Sequence, residues 1–122
     1  MILTAKKVLE LRQDYGMIDG LAERELNNPE GVGLEVRLGD AFELTSDGFL
    51  HQETRDTPDN KKVLEEGSGD ILKLEPGDYY LIKTREEVDV PSEAIEVEGR
   101  EAHIMPDVYP RSTIHRSGLI FK

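Results

Sequence analysis

Two arginines, one histidine and three hydroxyl side chains lie within the ten residues PRSTIHRSGL at 110–119. Guanidinium groups bind phosphate through charge and paired hydrogen bonds, and hydroxyls and turn amides can orient the anion. Pro110 and Gly118 bracket the segment and favour an irregular backbone, on which Arg111 and Arg116 can converge. From its residues alone, the segment is therefore either an anion-binding site or a solvated polar turn.

Other groups that could do chemistry are less specific. His115 could titrate near neutral pH within this segment, although a surface imidazole is the alternative. The acidic pairs at 65–66 and 86–87 are adjacent in sequence, so each pair points apart in a helix or a strand and is expected on a solvated surface. Neither a Gly-rich phosphate loop nor a nucleophile elbow occurs in the sequence.

Composition narrows the function classes. The 122 residues suffice for one domain with its own core, and no composition shift marks a second one. A formal net charge of −11 argues against general nucleic-acid binding, which needs a basic face. The absence of cysteine excludes disulfides and thiolate zinc sites. Short apolar runs and the lack of a signal peptide indicate neither a membrane span nor export, so we expect a cytoplasmic protein.

The pattern of apolar residues predicts one N-terminal helix followed by five to seven short strands. Thr4 can cap a helix over 4–15, with a connector and one helical turn before residue 31. Strict alternation then predicts a strand over 32–39, continued to a hairpin turn at 46–48. A long loop is expected at 51–70. Strands are expected at 71–74 and 79–84, on either side of a turn at 76–78. A connection over 85–99 and a strand that begins within 118–122 complete the prediction. The predicted class is mainly β, a barrel or distorted sandwich.

Several segments together resemble one family. PRSTIHRSGL resembles the R-S-S-L-x-R-x-G-L signature of the dCTP deaminase and dUTPase superfamily. LEVRLGDAFEL resembles its D-L-R-L-G strand, and LEPGDYYLIKTREEVDVP resembles its P-G-x-F-x-L-x-x-T-x-E-x-V-x-L-P segment. ILTAKKVLEL is similar to its first helix, so the order of segments agrees along nearly the whole chain.

The resemblance implies a fold, an assembly and a substrate. The implied fold is a distorted β-barrel of the dUTPase-like, β-clip type with a short N-terminal helix, in one domain over 1–122. The implied assembly is a homotrimer with shared active sites, and the implied substrate is a deoxynucleoside triphosphate carrying Mg²⁺ on its phosphates. Residues matching the signature would hold the triphosphate (Arg111, Ser112, Thr113 and Arg116), and Ser112 and Arg116 would also help position the attacking water as catalytic residues.

The chain also departs from the family pattern. Glu35 stands where Asp is usual, Thr113 where a second serine is usual, and His115 and Ser117 replace common small and leucine residues. The family pattern continues beyond the signature with a strand pair that carries a catalytic Glu or Asp. The sequence ends at Lys122, so relative to that pattern the domain is expected to be C-terminally incomplete.

Three functions therefore remain open. The first is hydrolytic deamination of dCTP to dUTP, either alone or with further hydrolysis to dUMP. The second is dUTP diphosphatase activity, which yields dUMP and pyrophosphate. The third is a shortened module that binds nucleotide or assembles without catalysis. Glu86, Glu87 and Asp107 are available acids, but no motif assigns a general base to any of them.

Overall fold

The computed structural model describes residues 1–120, and the chain divides into two compact units, Met1–Val88 and Asp89–Lys122. The first unit contains helices α1 (Ala5–Tyr15) and α2 (Glu23–Asn27) and strands β1 (Ile18–Asp19), β2 (Leu38–Leu44), β3 (Phe49–Leu50), β4 (Arg55–Asp56), β5 (Asn60–Leu64), β6 (Tyr80–Thr84) and β7 (Glu87–Val88). The second contains β8 (Ile95–Val97), β9 (Arg100–Ala102) and helix α3 (Ser112–Arg116). The predicted mainly β class with a short N-terminal helix is confirmed, whereas closure into a barrel and the single-domain organisation stay predictions.

Helix α1 forms where the sequence predicted it. The Thr4 hydroxyl accepts a hydrogen bond from the Lys7 amide at 3.2 Å, which satisfies one of the unpaired N–H groups of the first turn. At the other end the Gly16 amide donates to the carbonyl of Arg12 at 2.8 Å. Ala5 and Leu11 are buried in this helix, whereas Tyr15 is exposed.

A three-stranded antiparallel sheet in the order β5-β2-β6 is the largest sheet of the first unit. Ala41 in the central strand lies opposite Leu64 in β5 and Ile82 in β6. Ala41 and Leu64 are buried and belong to the core, to which α1 and the following segment add Leu11, Met17, Ile18 and Leu21. Strand β1 pairs separately with β7, with Ile18 opposite Val88.

Gly39 permits a close approach between β2 and the end of β6. The register of this pair shifts between Leu38 and Ala41, as at a β-bulge. A Cβ atom at Gly39 would lie 2.9 Å from the carbonyl oxygen of Lys83 and 3.1 Å from the carbonyl carbon of Thr84. Both atoms are backbone, so relief of such a contact would have to move a strand.

Asp40 follows this irregularity and ties it to β5. Its carboxylate accepts a hydrogen bond from the Glu66 amide at 2.8 Å and pairs with Lys62 at 3.0 Å. The hydrogen bond from Glu66, helped by Lys62, holds the pKa of Asp40 below its usual value. The same ion pair raises the pKa of Lys62, so both groups stay charged at neutral pH.

The strand predicted over 32–39 is wrong over 32–37. Only its last residues, from Leu38, enter β2. Two backbone amides that a strand ladder would use are bound by carboxylates instead: Glu35 N–H donates to Glu25 at 3.1 Å, and Arg37 N–H donates to Glu86 at 2.7 Å. Alternation alone could not show that these amides have side-chain partners.

The predicted hairpin turn at 46–48 does not join two paired strands. Strand β2 ends opposite Asn60, and β3 pairs with β4, with Phe49 opposite Asp56. A Cβ atom at Gly48 would lie 2.9 Å from the ring of Pro58, so the chain packs closely on itself between β2 and β5.

The expectation of a loop over 51–70 is also wrong in part, because β4 and β5 lie within it. Strand β5 is an edge strand whose Lys61 and Lys62 are exposed, and lysines at an edge oppose pairing with another chain. The many charged residues of this segment therefore led to the prediction of a loop where a strand of the sheet lies.

Three other boundaries differ from expectation. Residues 71–74 are not a strand, although the predicted turn after them forms, with the Asp78 amide donating to the carbonyl of Glu75 at 3.0 Å. The expected connection over 85–99 contains β7 and β8. The strand expected at 118–122 does not begin at 118–120, and its last two residues lie outside the described ones.

The second unit contains a tight hairpin. Strands β8 and β9 are joined by Glu98 and Gly99, with φ angles of 52° and 76°. Two successive positive φ angles are typical of a type I′ turn, whose twist matches the paired strands. Ile95 and Val97 are buried on one side of this hairpin.

The close approach at Gly39 predicts a position-specific loss of stability. Gly39→Ala should lower the free energy of unfolding by about 1–3 kcal/mol, the usual range for overpacking, because the new methyl group meets backbone. Gly33→Ala is the matched control, since nothing lies within 4 Å of a Cβ there. Urea unfolding followed by circular dichroism measures both changes, and equal losses in the two variants would contradict the close-contact argument.

Candidate functional site

Glu86 is the most buried carboxylate side chain of the first unit, with no exposed side-chain area. One of its oxygens accepts a hydrogen bond from the Arg37 amide and the other from Arg37 Nε, both at 2.7 Å. The Arg37 guanidinium also donates to the carbonyl of Gly20 at 2.6 Å. Three distant segments of the chain therefore meet at one ion pair.

The charge on Glu86 is stabilised by this geometry. Burial alone would raise the pKa of Glu86, but hydrogen bonds from the backbone and side chain of Arg37 outweigh it and lower the pKa below the usual value of 4.5. The expectation that Glu86 lies on a solvated surface is wrong, because only its neighbour Glu87 is exposed.

Sequence reasoning missed this pair, although a signal was present. Arg37 occupies the arginine of the D-L-R-L-G pattern, and Glu86 occupies the glutamate of the T-x-E-x-V pattern. Each pattern is weak alone. The structure joins them in one contact, so the two segments share a structural role in the first unit.

The cationic signature segment forms a single helical turn in the second unit. Helix α3 begins after Arg111, whose carbonyl accepts from the amides of Ile114 and His115 at 2.9 and 3.3 Å. Positions four apart on a helix are neighbours, so Ser112 and Arg116 lie on the same face. The expected irregular backbone is therefore wrong over 112–116, where the chain is helical.

Gly118 and Ser117 end this helix. The Gly118 amide donates to the carbonyl of His115 at 3.0 Å, and the Leu119 amide donates to the carbonyl of Ile114 at 3.3 Å. These two hydrogen bonds are the pattern of a Schellman motif. Gly118 has a φ of 79°, a conformation that glycine adopts without strain. The Ser117 hydroxyl donates to the Thr113 carbonyl at 2.8 Å, so this departure from the family pattern contributes to the helix end.

All the residues expected to bind a triphosphate are exposed on α3 or at its start (Arg111, Ser112, Thr113 and Arg116). Their hydroxyl and guanidinium groups suit a phosphate ligand, which needs donors and positive charge. His115 is also exposed on this turn. This turn of six residues therefore carries every residue that was expected from the sequence to bind the substrate.

The available acids form no metal-binding group within the part of the chain that the structure describes. Asp107 accepts hydrogen bonds from the Val108 amide at 2.9 Å and the Tyr109 hydroxyl at 2.6 Å, which raises the pKa of Tyr109. Among residues 1–120 there is no group of three or more histidine or acidic side chains that could hold a metal ion. None of the described helices is long and apolar enough to cross a membrane.

The ion pair predicts a specific pH dependence of stability. Because the pKa of Glu86 is lower in the folded state, its contribution is present above pH 4.5 and is lost as pH falls through the folded value. Glu86→Gln should cost about 2 kcal/mol at pH 7, less than the 3–5 kcal/mol typical of a fully buried pair because Arg37 is half-exposed. It should also flatten the acid limb of the stability profile.

Glu87→Gln is the control, because it removes an exposed charge beside the pair. Urea unfolding from pH 3 to pH 7 compares the two variants with the parent. An unchanged acid limb in Glu86→Gln would show that Glu86 carries no linked proton.

Comparison with known proteins agrees with the segment resemblances. A family model described as dCTP deaminase-like matches residues 2–122. Neither a curated protein nor a solved structure matches the chain. The matched range contains both partners of the Arg37–Glu86 pair and the whole cationic turn. The chain therefore belongs to the dCTP deaminase-like family, whose members are enzymes of nucleotide metabolism.

Proposed function

We propose that this protein is a hydrolase that deaminates dCTP to dUTP. The observation that carries the proposal is the placement of Ser112 and Arg116 on one face of α3, within a chain that matches the dCTP deaminase-like family from residue 2 to 122. Arg111 and Arg116 supply positive charge for the triphosphate, and Ser112 and Thr113 supply hydroxyl donors. Ser112 and Arg116 also help to position the attacking water.

In the proposed reaction, water adds to C4 of cytosine and ammonia leaves, so that the amino group is replaced by oxygen. A positioned base would take the proton from the water. We assign that base to none of the described acids: Glu86 is bound to Arg37, and Asp107 is bound to Tyr109. The contribution argued for α3 is binding and orientation of the nucleotide.

Magnesium belongs to the substrate in this proposal. The groups on α3 are cations and hydroxyls, which suit phosphate oxygens, and the described residues offer no acidic cluster for a resident ion. Mg²⁺ would therefore arrive on the triphosphate and offset its charge. The net charge of −11 supports a free nucleotide as the substrate in preference to a polynucleotide, in a cytoplasmic setting.

We also propose a homotrimer with active sites shared between subunits. Many large apolar side chains are exposed in the single chain, among them Phe49, Leu50, Val108 and Tyr109. Exposed apolar surface of this extent supports an assembly that covers it. Sedimentation of the natural protein tests this directly, and a monomer at micromolar concentration would contradict it.

Hydrolysis of dUTP to dUMP and pyrophosphate is the second candidate function. The same cationic turn would serve it, because both substrates carry the same triphosphate. Assays of ammonia release from dCTP and pyrophosphate release from dUTP distinguish the two activities. We expect ammonia from dCTP; pyrophosphate from dUTP without ammonia would favour the second candidate, and tight binding without turnover would indicate a non-catalytic nucleotide-binding module.

Removal of either arginine from the turn should weaken nucleotide binding. Arg111→Ala or Arg116→Ala is expected to cost about 1.5–3 kcal/mol of dCTP binding, the usual scale for a charge-assisted hydrogen bond. Arg100→Ala, which removes an exposed cation from β9, is the control and should leave affinity unchanged. Isothermal titration calorimetry with dCTP and Mg²⁺ measures all three, and unchanged affinity in both signature variants would refute the assigned binding role.

A further inference from the structure

One face of the three-stranded sheet is not covered by another element among the described residues of the first unit. Phe42 lies at its centre, with Leu81 directly opposite on β6 and Lys62 directly opposite on β5. A shallow groove of about 290 Å³ runs here and is lined by Phe42, Asn60, Leu81, Ile82 and Lys83. We call this surface the Phe42 face. Leu81 retains 44% of its accessible area.

The Phe42 face is apolar at its centre and cationic at its rim. The Lys62 ammonium lies 5.8 Å from the centre of the Phe42 ring, a cation–π distance, and also pairs with Asp40. Lys83 forms no ion pair with any residue in the described range 1–120. Lys62 is neutralised by Asp40, so Lys83 is the cation of this rim that favours an acidic occupant.

A segment of the second unit has the complementary composition. Residues 104–109, IMPDVY, have no regular secondary structure, and Met105, Val108 and Tyr109 are 87%, 67% and 78% exposed. Asp107 supplies a carboxylate in the middle of these apolar side chains. Its hydrogen bonds to Tyr109 and to the Val108 amide fix the local shape of the segment.

We propose that residues 104–109 of one copy of this chain dock on the Phe42 face of a second copy. Val108 and Tyr109 would cover Phe42 and Leu81, and Asp107 would pair with Lys83 at the rim. Apolar contact supplies most of the stabilisation, and the charge pair selects the register. Pro106 within the segment and Pro110 after it restrict the backbone, so the segment has less conformational freedom to lose on docking.

This contact joins two different surfaces, so it is heterologous. Repetition of such a contact closes a ring when the rotation permits, and each copy then gives one segment and receives one. The inference rests on the homotrimer proposed above and names the surfaces that form it. Because the docked segment leads directly into Arg111, docking would also fix the start of the triphosphate-binding turn beside a neighbouring subunit.

Engineered cysteines test the contact, since the natural chain contains none. Leu81→Cys and Val108→Cys, purified separately, mixed and oxidised, should give a disulfide-linked dimer on a non-reducing gel. The double variant should give a covalent trimer. Ile71→Cys, at an exposed position away from the Phe42 face, replaces Leu81→Cys in the control and should give no specific product.

The products of oxidation show whether the Phe42 face is occupied by the segment of a second copy or by that of the same chain. An oxidised double variant that stays at monomer mass would place the segment on its own chain and overturn the proposal. Absence of a disulfide in every mixture, with a trimeric parent protein, would also overturn it while leaving the proposed trimer intact. A monomeric parent protein would overturn both.

A charge exchange provides a second test that does not depend on disulfide geometry. Lys83→Glu and Asp107→Lys should each raise the dissociation constant of the assembly at least tenfold, because each creates a like-charge contact. The double variant should recover most of the loss, as measured by sedimentation equilibrium. Single and double variants with equal dissociation constants would contradict the Asp107–Lys83 pairing.

Discussion

A buried carboxylate that must remain charged constrains the architecture of the first unit. Removing Glu86 from water costs several kcal/mol, and only nearby donors can offset that cost. Arg37 supplies them from both its backbone and its side chain. The same guanidinium reaches the carbonyl of Gly20, so the segment after β1, the entry to β2 and the exit from β6 are fixed to each other. Displacement of Arg37 would leave the charge of Glu86 buried without its partner.

The two parts of the family pattern perform different tasks in this chain. The D-L-R-L-G and T-x-E-x-V segments meet within the first unit, where they hold backbone together. The signature segment forms α3 in the second unit, where its cations and hydroxyls face outward. The most family-like residues therefore divide into a structural pair and an exposed turn, and the nucleotide binding proposed above is assigned to the turn.

The sequence predicted elements whose signals are local and missed those set by distant partners. Thr4 and Gly16 bound α1 through contacts within a few residues, and Tyr80–Thr84 forms a strand as its apolar content indicates. The segment before Leu38 alternates like a strand, yet its amides are bound by Glu25 and Glu86, one of them 49 positions away. The lysines of β5 do not indicate a strand. Its strand conformation depends on pairing with β2 rather than on its own composition.

For the candidate site, sequence identified the residues and structure supplied their arrangement. The spacing from Arg111 to Arg116 allowed a strand or a turn, whereas the structure shows a helix that ends in a Schellman pattern at Gly118. Ser117, which replaces the leucine common in the family pattern, donates a hydrogen bond to the Thr113 carbonyl. The pattern T-x-E-x-V marked Glu86 but not what it binds, and only burial in the structure distinguishes Glu86 from Glu87.

The pairing of β1 with β7 has a consequence for the order in which the chain can fold during synthesis. Ile18 leaves the ribosome roughly 70 residues before Val88, its partner in the ladder. At ordinary translation rates this interval lasts about 4 to 14 s, during which the backbone of β1 has no ladder partner. Helix α1 can form within microseconds of leaving the ribosome, but its apolar face can be buried only after the middle of the chain has been synthesised. Any chaperone that meets this nascent chain would therefore find its exposed apolar sequence at the N-terminus.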